Sequence, residues 1–242
     1  MNSNNPSFQT ARAAGSAGAV VSALQAEHAA HLARLSLQDN SDLHTCIAQW
    51  RDLGLGLPHI YMHGITEAAR TLGRWWLTDE IDFASVTVGS SRLHRLLYDL
   101  SPDFLADAKS PLGATVLMLA EPESQHTMGL FMLSEFFRRA GWYTLIEQPR
   151  LDANVLRLLS AHWVDVLALS VSTDRQLDAL AVLVRQARKL SPNPRMVIIA
   201  GGPMVSSHPE QLVALGVDWL GEDASSTVDR ATLDLGDLTP LN

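Results

Sequence analysis

One histidine, two serines and two glycines are spaced along the second half of the chain so that each could meet a ligand. His126 stands in the stretch Glu121-Pro-Glu-Ser-Gln-His-Thr-Met-Gly129, directly after an apolar run over 114–120 (ATVLMLA). Ser170 and Ser172 close a second apolar run, and Gly201 and Gly202 close a third. An imidazole can ligate a metal through one ring nitrogen while a carboxylate or hydroxyl holds the other. Glu121, Glu123 and Ser124 are the local candidates for that hold. Serines one residue apart offer their hydroxyls to the same side if a strand continues through both. Adjacent glycines remove side chains where something flat or bulky must approach the backbone. Together these residues describe a deep slot with one metal-capable nitrogen at its mouth.

Such a slot needs a scaffold that brings the three points to one edge. Runs of aliphatic residues predict strands over 115–120, 143–146, 164–170, 196–200 and 217–220, each long enough to be buried on both faces. Helical spacing separates them over 127–140, 152–161, 175–190 and 208–215, and a last helix is expected over 225–233. Gly141 is placed to end the first of these helices. Strict alternation of strand and helix with short connections gives an α/β fold with a parallel, doubly wound sheet. Ligands of such sheets bind at the carboxyl ends of the strands, where all three points lie. The first strand–helix turn carries neither G-x-G-x-x-G nor a P-loop, so nucleotide binding has no support. Glu121, Glu123 and Asp174 only weakly imitate the acidic cluster of a phospho-acceptor receiver, and a Lys after the last strand is missing.

The first half has a different period. Residues 1–15 are polar and expected to be disordered. From Ser16 the pattern is helical, with Ala19, Val20, Leu24, His28, His31 and Leu32 on one side. A second helix is expected from a Ser41 cap to Leu53, and a third from Pro58 with Ile60, Ile65, Ala68, Leu72 and Trp75 or Trp76 inward. A fourth is expected over 82–97, although its Val86-Thr-Val-Gly centre is β-prone. Four helices with short loops make a bundle over 16–105. Residues 101–113, with two prolines and a glycine, read as a linker to an α/β domain over 112–242. The 242-residue chain carries 18 basic and 26 acidic residues, a net charge of −8, and so no broad electrostatic footprint for DNA. Cys46 is alone, which excludes a disulfide framework and a Cys-rich metal site. No 18-residue apolar run and no basic-then-apolar start appear, so a globular cytoplasmic protein with no membrane contact is expected.

Ser170 follows His126 by 44 residues and Gly201 follows it by 75. With Ser124-Gln-His-Thr-Met-Gly129, Ser170-Val-Ser172 and Gly201-Gly202, this spacing resembles the cobalamin (vitamin B12) binding domain family, whose signature is D-x-H-x-x-G, then S-x-L, then G-G. The resemblance implies a Rossmann-like (flavodoxin-like) domain in which His126 is the lower axial ligand of cobalt. It further implies that Ser170 and Ser172 line the slot for the displaced base and that Gly201 and Gly202 let the nucleotide tail pass. Thr127, Met128 and Gly129 would pack beneath the corrin ring. Ser124 departs from the family's Asp, and Ser172 from its Leu, so Glu123 stands in as the acidic partner or that partner is absent. The stretch from Leu72 to Leu93 is similar to the cobalamin-binding antirepressors of photosynthesis genes in purple bacteria (the AerR/PpaA type), through a W…D…F…VTVG…RL pattern. That likeness implies a light or redox sensor holding adenosyl-, methyl- or hydroxocobalamin, with Trp75 or Trp76 over the corrin's upper face. His59, His63 and His94 are candidates for the upper position after light cleaves a cobalt–carbon bond. The implied partner is a repressor of the PpsR/CrtJ kind, with no enzymatic step. The resemblance leaves direct DNA contact and oligomeric state open, and the alternative it implies is a corrinoid methyl carrier.

Overall fold

The computed structural model describes residues 24–39, 42–120, 127–147, 153–175 and 177–238. The expected N-terminal disorder, the Ser41 cap, Glu121, Glu123, Ser124 and His126 therefore lie outside the described residues. The chain divides into two compact units, one ending at Pro102 and the other starting at Asp103.

The first unit is helical. It comprises α1 (Ala26–Leu37), α2 (Leu43–Asp52), a continuous rod made of α3 (Leu57–His59), a π-helical turn (Ile60–Ile65) and α4 (Thr66–Leu77), and then α5 (Phe83–Leu105), which runs past the unit's boundary. Ile60, Ile65, Ala68 and Leu72 are all fully buried, as their spacing predicts. Asp42 caps α2, its carboxylate accepting from the Thr45 backbone N–H at 3.2 Å. Two glycines set how closely the rods approach. A Cβ at Gly64 would lie 2.5 Å from the Trp50 ring, and one at Gly89 would lie 2.9 Å from Leu72 Cδ1.

Helix α5 extends beyond the expected end at 97, and residues 101–105 are helical rather than linker. Pro102 lies within its last turns, where it removes one backbone donor. Phe104 holds that end in place: it is fully buried, meets Phe136 edge-on at 5.1 Å and lies under the Arg139 guanidinium. The β-prone Val86-Thr-Val-Gly stretch is helical as well, because Gly89, Leu93, Leu96 and Leu97 continue one buried stripe.

The second unit is a five-stranded parallel sheet in the order β2-β1-β3-β4-β5. The strands are β1 (Thr115–Ala120), β2 (Tyr143–Glu147), β3 (Val166–Ser170), β4 (Val197–Gly201) and β5 (Trp219–Leu220). Between and after them run α6 (Thr127–Arg139), α7 (Ala153–Ala161), α8 (Leu177–Leu190), α9 (Met204–Ser207), α10 (Pro209–Ala214) and α11 (Ala224–Leu238). Helix α9 has no counterpart in the sequence reading, and α11 is longer than its expected span. Gly141 ends α6 at φ +92°, a backbone conformation that glycine adopts without strain. Leu117, Leu119, Leu167, Leu169 and Ile198 form the centre of one continuous core. Phe137 of α6 is fully buried with its ring edge-on to Trp142 at 5.2 Å. Phe137→Ala is expected to cost about 3–5 kcal/mol in urea unfolding; a loss below about 1 kcal/mol would contradict this packing.

Candidate functional site

Strand register places the sequence-predicted points beside one another. Ala120, the last residue of β1, is paired with Ser170, and Ser170 is paired with Gly201. The chain passes from β1 to β2 on one side and then from β2 back across β1 to β3 on the other, so the strand order reverses here, the position at which open α/β sheets bind ligands. The segment that carries Ser124 and His126 leaves the sheet from Ala120 and re-enters the described structure at Thr127, the start of α6. Thr127 and Met128 are half-buried in the first turn of α6. Gly129 follows them, exposed, with open space where its Cβ would stand.

The two glycines at the end of β4 are not equivalent. Gly201 is still in the strand, and a Cβ there would make only ordinary contact with the Gly221 carbonyl oxygen at 3.7 Å. Gly202 has φ +101°, and a Cβ would lie 2.6 Å from the Val171 carbonyl oxygen and 2.9 Å from its nitrogen. The loops after β3 and β4 therefore cross in backbone contact. The Val171 N–H donates to the Gly201 carbonyl at 2.9 Å, and the Met204 N–H donates to the Val171 carbonyl at 3.3 Å. This crossing also ends β3 at Ser170, so the strand does not continue through Ser172 as its serine spacing requires for a shared side. Ser170 and Ser172 are both half-buried on this edge, Ser172 from the loop.

Sequence reasoning missed Gly221, which follows β5. Its N–H donates to the Ala200 carbonyl at 2.8 Å, and a Cβ there would lie 2.5 Å from the Thr227 hydroxyl oxygen. A lone glycine after a two-residue strand offers little signal in the sequence. With Gly201 and Gly202 it leaves the carboxyl ends of β4 and β5 without side chains.

In the helical unit the two tryptophans separate. Trp75 is half-buried with the Arg34 guanidinium 5.4 Å above its ring. Trp76 is 44% exposed and meets Phe83, itself 65% exposed, at 6.2 Å. Asp79, at φ +57°, lies in the turn between them. His59 and His63 have ring centroids 4.4 Å apart across the π-helical turn. Burial, and then the neighbouring His63, hold the His59 imidazole below the usual histidine range. Burial does the same for His94, which stacks on Tyr98 at 5.0 Å.

Comparison with known proteins gives this edge a name. The B12 binding domain family matches residues 115–229, the span that contains all five strands. An uncharacterized 20.5 kDa protein from the bchF-crtJ intergenic region of Rhodobacter capsulatus is 34% identical over 172 residues, covering 71% of this chain and 89% of that protein. The chain belongs to the B12-binding family. Cobalamin is the cofactor of its α/β domain. The structure of the Methanosarcina barkeri monomethylamine corrinoid protein superposes with a TM-score of 0.71 over 86% of this chain and 98% of that one, at 14% identity. That likeness confirms the Rossmann-like parallel fold with a helical N-terminal region. Among the described residues no helix is long and apolar enough to cross a membrane.

The edge fits the cofactor at Gly201, which puts no side chain at the end of β4 and whose nearest neighbour to a Cβ would be 3.7 Å away, while Gly202 and Gly221 let the chain pack closely on itself beside it. Gly202→Ala is expected to destabilise the protein by about 1–3 kcal/mol, through strain at positive φ and overlap with Val171. Gly129→Ala, set in open space, is expected to leave stability unchanged or raised. Paired urea melts of the two variants check both statements.

Proposed function

We propose that this protein is a light- or redox-responsive regulator that uses its cobalamin as the sensing group and acts on a repressor of photosynthesis genes by protein contact. One observation carries the reading: an α/β B12-binding domain joined to a helical unit in a chain 34% identical to a protein encoded between bchF and crtJ. The AerR/PpaA-like stretch from Leu72 to Leu93 and the acidic net charge support a protein partner of the PpsR/CrtJ kind.

In this reading His126 would hold the cobalt through one ring nitrogen, with the other held by Ser124 or Glu123. Ser170 and Ser172 face the nucleotide base, Gly201 and Gly202 let the tail pass, and Thr127, Met128 and Gly129 lie beneath the ring. Trp75 or Trp76 would cover the corrin; Trp76 is the more exposed of the two, and the Arg34 guanidinium stands 5.4 Å above the Trp75 ring. His59, His63 and His94 would be the candidate imidazoles for the other side of the cobalt. Cobalamin supplies a photolabile, redox-active metal centre, and the regulator reading assigns the chain no catalytic step. A switch of this kind requires the repressor to bind the two cofactor states with different affinity. A tenfold difference corresponds to about 1.4 kcal/mol.

The second reading is a corrinoid methyl carrier, supported by the fold shared with the monomethylamine corrinoid protein. Absorbance spectra of protein loaded with adenosyl-, methyl- and hydroxocobalamin, in the dark and after illumination, test the proposal. Wild type is expected to hold the cofactor base-off with histidine on cobalt, and His126→Ala to lose that spectrum. Repressor affinity is expected to differ between dark and lit samples. Equal affinity in both states, together with methyl transfer to a thiol or folate acceptor, would move the assignment to methyl carriage.

A further inference from the structure

The opposite edge of the sheet carries a feature that cobalamin binding does not use. At the amino ends of β3 and β4, beside Val166 and Val197, a cavity of about 210 Å³ is closed on one side by α11. Two indoles line it, Trp142 and Trp163. Neither needs a hydrogen-bond acceptor from a ligand. The Trp142 N–H donates to the Thr232 hydroxyl at 3.0 Å, and the Trp163 N–H to the Asp165 carboxylate at 2.9 Å. What remains to offer is ring surface, and Trp163 is 54% exposed.

The charged groups in the lining are Asp165, Asp234 and Arg195, two carboxylates against one guanidinium. Asp165 is committed to the fold, its second oxygen accepting from the Thr115 N–H at 2.8 Å. The Asp234 carboxylate, from the last turns of α11, has no ion-pair or side-chain hydrogen-bond partner among the described residues. Indole faces attract cations, and the attraction grows as the cation leaves water. The volume lies below the ~300 Å³ at which drug-sized ligands begin, which limits the occupant to one small group. We propose that this cavity is a second binding site, for a small flat organic cation, either a guanidinium or an aromatic ammonium group. Its flat face stacks on Trp163 and its charge meets Asp234. The same chemistry arises from a free amine or from an arginine side chain presented by another protein. The site is independent of the cobalamin edge and does not rest on the regulator reading.

The test uses the full chain loaded with cobalamin and the indole ¹⁵N–¹H resonances of its six tryptophans, assigned by single Trp→Phe substitutions. One arm titrates tryptamine, and a second titrates the peptide acetyl-Gly-Arg-Gly-amide. Either probe is expected to shift the Trp163 and Trp142 resonances, with binding weakened at least about tenfold in Asp234→Asn and in Trp163→Ala. Cobalamin retention is expected to be unchanged in both variants, which shows that they fold. Binding of tryptamine alone identifies a free amine as the source, and binding of the peptide identifies a protein side chain. No shift by either probe up to about 10 mM overturns the site. Equal binding of the neutral analogue 3-methylindole, or shifts insensitive to Asp234→Asn, overturns recognition of a cation.

Discussion

Parallel pairing of β1 with both β2 and β3 is the constraint on which the second unit depends. A strand paired on both sides and covered on both faces has nowhere to place a polar side chain. Residues 116–120 are accordingly apolar and buried throughout. Chemistry is thereby pushed to the strand ends, where side chains and loop backbone are released from the sheet. The order reversal beside β1 then selects one position along the carboxyl edge, and the His126 segment leaves the sheet there.

The two ends of the same sheet have taken opposite chemical characters. The carboxyl edge is stripped to backbone at Gly201, Gly202 and Gly221. The amino edge carries indole rings and carboxylates, and its hydrogen bonds hold the chain: Asp165 ties β1 to the approach of β3, and Asp218 ties the approach of β5 to Ile198 and Arg188. Strand entry is fixed by side chains at one edge, whereas the other is held by backbone bonds between its loops.

Much of this was legible in the sequence, because the signals were strong and local. Aliphatic runs gave each described strand within a few residues, and the resemblance of the His126, Ser170 and Gly201 pattern to the cobalamin-binding family already implied the cofactor class. What escaped the reading depended on contacts distant in the chain. Ser172 cannot share a strand side with Ser170, since the Gly202 crossing ends β3 between them. Ser101-Pro102 reads as a helix breaker, yet burial of Phe104 against Phe136 and Arg139 carries α5 through it. Trp75 and Trp76 are indistinguishable as neighbours in sequence, and only Arg34, some forty residues earlier, separates a covered ring from an open one. The Val86-Thr-Val-Gly stretch shows the reverse, a local strand preference overridden by a helical stripe that packs through Gly89.

The crossing of Val171 and Gly202 has a dynamic consequence. Both polar groups of the Val171 peptide unit are held by the neighbouring loop, its N–H by Gly201 and its carbonyl by Met204. With no side chain between the two backbones, neither loop can lift without breaking the bonds of the other. The ends of β3 and β4 therefore open as one cooperative element, and their amides exchange with solvent in a single event instead of fraying separately. A ligand lying across this edge meets a surface already set before it arrives.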